Sequence, residues 1–310
     1  MTASRRPLVP AGRVAAAPIS WGVCEVPGWG HQMDPARVLR EMAGLGITAA
    51  EFGPDGFLPA EPAARAATLG RYGLRPVGGF VPVVLHDADH DPLPGLRTAA
   101  DAFAACGATT LVLAAVTGQD GYDVRPVLDA DQWSTLLSRL DAVVPLARER
   151  GLTAALHPHV GTVVETRAEV RRVLEGSVVP LCLDTGHLLV GGVDPVELAR
   201  REAGRVAHVH LKDVDPDLAA DVRAGRLSYT RAVARGLYRP LGQGGVDVAA
   251  LVRSLEARGY DGWYVMEQDA VLVQEPPPDA GPRHDVRACL DFLTTTRTGR
   301  RAAPEKRTDA

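Results

Sequence analysis

Three short polar clusters stand at the ends of apolar runs between residues 156 and 212. They read Leu156-His157-Pro158-His159, Leu183-Asp184-Thr185-Gly186-His187 and His208-Val209-His210-Leu211-Lys212-Asp213. His157, Asp184 and His210 follow one another at spacings of 27 and 26 residues, close to one strand-plus-helix unit, and five of the nine histidines fall in this stretch. Side chains on a strand alternate with period two, so His157 shares a face with His159, and His208 with His210. In the last apolar run the same parity groups Trp263, Val265 and Glu267. Two imidazoles and two carboxylates, His157, Asp184, His210 and Glu267, can therefore converge from four successive strands. Mixed N/O donors suit Mn2+, Fe2+, Co2+ or Zn2+ better than Ca2+. Each residue also has a plainer reading. A lone strand histidine can be a hydrogen-bonded structural group, Asp184 can cap a helix, and Glu267 can pair with a rim arginine. Four at consecutive strand ends fit a metal site better, because buried charges are costly unless paired or metal-bound.

Such residues need a scaffold that brings strand ends together. Apolar segments at 14–21, 47–52, 74–85, 109–116, 152–157, 179–183, 206–211 and 262–267 alternate with helical patterns at 35–44, 59–72, 93–106, 131–150, 167–174, 195–203, 248–258 and 285–295. Strands alternating with helices imply parallel pairing under an outer helical layer. Eight such units match a (β/α)8 TIM barrel, whose catalytic groups sit at the C-terminal ends of the strands; a doubly wound open sheet is the competing architecture. The expected layout is a flexible N-terminus (1–13), one barrel domain (14–295) and a disordered polar tail (296–310). Residues 213–245 form an insertion after the seventh strand.

The bulk numbers set further bounds. A chain of 310 residues exceeds the about 250 typical of one barrel. The net charge of −4 argues against a broad grip on nucleic acid. Cys24, Cys106, Cys182 and Cys289 are scattered without metal spacing, as in a reducing compartment. No run approaches the roughly 20 apolar residues of a membrane span, and Met1–Gly12 lacks a signal-type apolar core, so a cytoplasmic protein is expected. No nucleotide-binding glycine motif occurs. The Gly242-Gln243-Gly244-Gly245 run would either cradle a phosphate with backbone N–H groups or form a turn.

The strings Asp184-Thr185-Gly186-His187, His208-Val209-His210-Leu211-Lys212-Asp213 and Glu267-Gln268-Asp269 resemble those of the xylose-isomerase-like TIM-barrel superfamily. Within it, Pro18-Ile19-Ser20-Trp21-Gly22, His157-Pro158-His159-Val160-Gly161-Thr162 and Pro240-Leu241-Gly242-Gln243-Gly244 are most similar to the inosose (2-keto-myo-inositol) dehydratases and related sugar-phosphate isomerases and epimerases. The resemblance covers roughly residues 14 to 295. It implies a divalent metal, Mn2+ or Co2+ first and Zn2+ or Mg2+ as alternatives, held at Asp184, His210 and Glu267. Isomerases and epimerases of the superfamily carry glutamate where His157 stands, which turns the resemblance toward dehydration; His159 is the alternative ligand there. His187 corresponds to a substrate-contacting histidine, or else orients Asp184.

The implied reaction is loss of water from a polyhydroxy ketone through an enediolate, with isomerisation or epimerisation as the alternative. Candidate proton-transfer groups are His187, Lys212, His159 and Glu51, though Glu51 could be a buried structural carboxylate and Lys212 an electrostatic clamp. Trp21, His86, His187 and Lys212 are candidate substrate contacts, with Trp29, His31 and His90 nearby. The expected partner is a small polyol or ketose, with neither nucleic acid nor membrane; a homo-oligomer is compatible. A DNA-repair endonuclease of the same fold and a non-catalytic binding barrel are the readings from other classes.

Overall fold

The computed structural model describes residues 7–10, 12–278 and 280–294. The expected polar tail lies outside them, as does the start of the N-terminal segment. Of that segment, Val9 is buried, Leu8 donates its backbone N–H to Leu293, and Arg13 pairs with Glu256.

Parallel strands form the centre: β1 (Val14–Ala16), β2 (Ala49–Ala50), β3 (Arg75–Pro76), β4 (Gly78–Val83), β5 (Thr110–Ala115), β6 (Thr153–Leu156), β7 (Leu181–Asp184), β8 (Val206–Leu211) and, last in the chain, β11 (Tyr264–Met266). Their order in the sheet is β3-β2-β1-β11-β8-β7-β6-β5-β4. The two ends of that order, β3 and β4, are one run interrupted at Val77. Val77 donates to Ala50 O (3.0 Å) and accepts from Thr109 and Thr110 (2.9 and 3.1 Å), so its backbone joins the two sheet ends. The result is the expected barrel, closed through one residue.

Helices α1 (Pro35–Gly44), α2 (Pro62–Arg71), α3 (Leu93–Ala105), α4 (Ala130–Arg148), α5 (Arg167–Gly176), α7 (Pro195–Arg201), α10 (Val248–Glu256) and α11 (Pro282–Thr294) cover the outside. Most begin at a side-chain cap: Asp129 and Thr166 form full capping boxes with Gln132 and Glu169, which satisfy otherwise orphaned N–H groups. Three short helices exceed the eight expected: α6 (Thr185–Val190), α8 (Pro216–Arg223) and α9 (Tyr229–Ala234). The last two lie in the 213–245 insertion, which also carries the antiparallel pair β9 (Asp213–Val214) and β10 (Tyr238–Arg239).

Small side chains fill the barrel interior, in two clusters built on Ala15, Ala17, Ala49, Val77 and Val265 and on Val112, Ala155 and Cys182. The large core lies between strands and helices. The register between β7 and β8 shifts by one residue: Leu181 pairs with Val206, but Cys182 pairs with His208 and Asp184 with His210. Val206, Val209 and Leu211 join the outer core, while Ala207 packs on the inner cluster. The extra residue at Ala207 resets the alternation, as bulges beside functional sites do. Beyond it, His208, His210 and Lys212 all face inward.

Candidate metal centre and substrate cavity

Asp184 serves two roles with separate oxygens. Its Oδ1 accepts the N–H groups of Gly186 and His187, each at 2.8 Å, and starts α6. Its Oδ2 faces His157 Nε2 at 3.3 Å, Lys212 Nζ at 3.5 Å and His210 Nδ1 at 3.7 Å. Glu267 Oε2 completes the group, 2.9 Å from His210 Nδ1 and 2.8 Å from Lys212 Nζ. All five side chains are buried. Ligand atoms of Asp184, His210 and Glu267 lie within 4.8 Å of one another, as do those of His157, Asp184 and His187.

The donor set fits a divalent cation. His210 Nδ1 is buried without a hydrogen-bond partner, although Glu267 Oε2 is only 2.9 Å away. A nitrogen that crowds two carboxylate oxygens outside hydrogen-bond geometry matches ligands arranged around an ion. Burial opposes charge on His210, but Cys182, Glu267 and Glu51 hold its imidazolium well above the usual histidine range. Burial likewise opposes charge on Glu267 and Asp184, yet His210 and Lys212 keep Glu267 far below the carboxylate range, and Lys212 and His157 hold Asp184 down. Asp184, Glu267 and His210 are thus all favoured in their charged forms.

Lys212 sits at its centre. Besides Asp184 and Glu267, its ammonium reaches Asp269 Oδ1 at 2.6 Å and His187 Nε2 at 3.2 Å. Asp269 in turn accepts from Tyr229 Oη at 3.0 Å, and Tyr229 contacts Tyr238 Oη at 3.0 Å. Burial raises Asp269 to about 6 despite the adjacent ammonium.

His159 lies apart from the ligand group. Its Nδ1 is 2.6 Å from the Val160 carbonyl, which requires the proton on Nδ1 and leaves Nε2 as an acceptor. Its ring packs on His187 (3.6 Å between centroids) and on Tyr122 (4.5 Å). Burial keeps both His159 and His187 well below the usual range, hence neutral. Glu51 is turned away from a free role: its Oε1 accepts from His208 Nε2 at 2.8 Å and His210 Nε2 at 3.1 Å. Burial alone would raise it, but the two imidazoles hold it to about 2.

Over this group opens a cavity of about 350 Å³, lined among others by Phe80, Tyr122, His159, Lys212, Tyr229 and Glu267. Tyr122 hydrogen-bonds Glu25 from the first βα loop across its mouth. Trp29 lines it too; Trp21, His86 and His187 do not. Trp21 is fully buried and donates to Glu41 at 2.8 Å. His86 lines a separate cleft beside the start of α4, and His187 stands behind His159. Residues not anticipated are Tyr122, Tyr229 and Asp269. Asp269 was visible as the end of the Glu267-Gln268-Asp269 string; Tyr229 comes from the irregular insertion and had no periodic signal.

The glycine-rich loop is a turn, not a phosphate cradle. Asp213 accepts from Gly242 and Gly244 through Oδ2 (2.9 Å each) and from Val246 and Val214 through Oδ1 (2.9 and 3.0 Å). Its own carboxylate occupies the N–H groups.

A family model for the xylose isomerase-like TIM barrel matches residues 39–293. The inosose dehydratase of Geobacillus kaustophilus (strain HTA426) is 33% identical over 270 residues, covering 83% of this chain and 87% of that protein. The rhizopine catabolism protein MocC of Rhizobium meliloti is 34% identical over 270 residues, covering 83% and 81%. Among solved structures, an IOLI protein with a binding zinc atom superposes with a TM-score of 0.64 at 14% identity, covering 90% of this chain and 96% of that one. With its fold, its strand-end residues and these relatives in agreement, the chain belongs to the xylose isomerase-like TIM-barrel family, among relatives that include inosose dehydratases.

Proposed function

We propose that this protein is a divalent-metal-dependent lyase that dehydrates an inosose-like polyhydroxy ketone. The observation that carries the reading is the unpartnered His210 Nδ1 facing Glu267 and Asp184. Asp184, His210 and Glu267 would hold the ion, with His157 as the fourth ligand through the nitrogen that faces Asp184. Mn2+ or Co2+ suits this mixture, with Zn2+ and Mg2+ as alternatives. When bound, the ion supplies a Lewis acid for the substrate carbonyl.

The chain's own groups supply the proton transfers. His159, with Nδ1–H held on Val160 O, offers Nε2 to accept the proton from the carbon beside the carbonyl. The Lys212 ammonium gives a proton to the departing hydroxyl, so that it leaves as water while the electron pair forms the new carbon–carbon double bond. Tyr229 and Asp269 hold Lys212 in place. His157, standing where a second proton-shuttling carboxylate would be needed for epimerisation, favours elimination. The inosose dehydratases among its relatives point to the same substrate class. Four free thiols suit a reducing cytoplasm.

The test is incubation of the protein with inosose and a panel of ketoses, with and without Mn2+ or Co2+, alongside metal analysis of Asp184→Ala and Glu267→Ala. Diketone absorbance that depends on metal supports the reading. A sugar isomer in its place would make the protein an isomerase or epimerase, and unchanged metal content in both variants would remove the ligand assignment.

A further inference from the structure

We propose that Glu51 is a positioning residue for the metal centre: by accepting the Nε2–H of His210 it fixes that ring's tautomer and turns Nδ1 to the cation. The inference rests on the metal reading above.

Its basis is geometric. Glu51 follows β2, where its N–H donates to Ala16 O at 3.1 Å, whereas His210 lies in β8, beyond β1 and β11 in the sheet. Glu51 therefore reaches across the barrel interior, over a layer kept low by Ala15, Ala17 and Ala49. An ionised carboxylate only accepts, so the nitrogens facing Glu51 Oε1 at 2.8 and 3.1 Å both carry hydrogen. A histidine that ligates a metal has given up its second proton, and with Nε2–H held on Glu51 that leaves Nδ1 of His210 as the lone-pair nitrogen. This nitrogen faces Glu267 and Asp184, and a lone pair against two carboxylates is unfavourable until a proton or a metal ion stands between them.

His208 braces the carboxylate from the other side. Its Nδ1 is buried without a partner, so its defined contribution is the Nε2–H on Glu51. Glu51, His208 and His210 have ligand atoms close enough to suggest a second cation site. Both inward nitrogens are already donors to the carboxylate, however, and have no lone pair to offer. The trio is a carboxylate–histidine–metal relay, the arrangement that orients ligating histidines and whose loss costs about 10–100-fold in metal affinity.

The experiment is Zn2+ titration of the full chain labelled with 15N-histidine, read by the ring nitrogen shifts. In the wild type, His210 is expected to bind through Nδ1 and keep a protonated Nε2. Glu51→Ala should weaken Kd by about 10–100-fold and lose the fixed tautomer. Glu51→Gln, which keeps an oxygen acceptor without the charge, should retain the tautomer and lose less affinity than the alanine variant; it carries the test if the alanine variant does not fold. Wild-type affinity in both variants, or coordination of His210 through Nε2, overturns the role of Glu51 alone. No Zn2+ binding by the wild type overturns the metal reading and this inference with it.

Discussion

Asp184 and His210 each split their two polar atoms between a structural and a chemical task. Asp184 caps α6 with Oδ1 and faces the candidate ligand group with Oδ2, so the cap leaves the second oxygen available. His210 holds Glu51 with Nε2 and leaves Nδ1 toward Glu267. Because Glu267 and Glu51 keep His210 protonated well above its usual range, against the penalty of burial, a metal must displace a proton to reach Nδ1. The sign follows: affinity rises with pH. Across the neutral range Kd should tighten about tenfold per pH unit, one proton being released per ion bound. Isothermal titration in buffers of different ionisation enthalpy measures that proton; a flat Kd from pH 6 to 8 would count against His210 as a ligand.

At the scale of elements, the one-residue shift at Ala207 and the ordering of the loops decide which side chains meet. The four strand-end polar residues were legible because each terminates an apolar run, and parity alone paired His208 with His210. Parity could not reveal the shift between β7 and β8, since nothing in the residue type of Ala207 marks it as an extra residue. Nor could it place Trp21, which Glu41 on α1 draws out of the cavity, or His86, which leaves the barrel axis after β4 ends at Val83. Tyr229 was hidden because α9 belongs to an insertion without periodicity. The loop carrying Tyr122 depends on Gly161, whose φ is +79° and whose added Cβ would lie 2.4 Å from Tyr122 O. Left-handed backbone costs about 1–3 kcal/mol for other residues. Gly161→Ala should therefore shift Tyr122 off His159 and raise KM roughly tenfold, equivalent to about 1.4 kcal/mol, while metal content stays unchanged. Steady-state kinetics with parallel metal analysis separates the two effects.

Across the whole molecule, the barrel gathers Glu51, Asp184, Glu267 and Asp269 into one buried region with Lys212 as its ammonium counter-charge. The eight-unit count and the parallel order were readable from alternation of strands and helices. Closure through Val77 was not, because it depends on a backbone that pairs on both sides. A cation bound only by the folded chain stabilises it by about 2.7 kcal/mol at one hundred times its Kd. For a domain of this size that should raise Tm by about 5 °C or more, reversed by a chelator. Scanning calorimetry of stripped and reloaded protein gives the number, and an unchanged Tm would mean that the site does not bind the ion in the folded state.

Asp213 has a consequence for what this scaffold could become. Four N–H groups converge on its carboxylate, which makes the side chain a resident anion plugged into a ready-made receptor. While the plug is in place, those N–H groups are not open to an external anion. Asp213→Gly should leave those donors unpaired, at about 1–3 kcal/mol each for those that water cannot reach. Millimolar phosphate should restore part of the lost Tm in the variant and do nothing for the wild type. If phosphate helps neither, the loop has collapsed without its plug; if it helps the variant, one substitution is enough to turn this loop into an anion receptor.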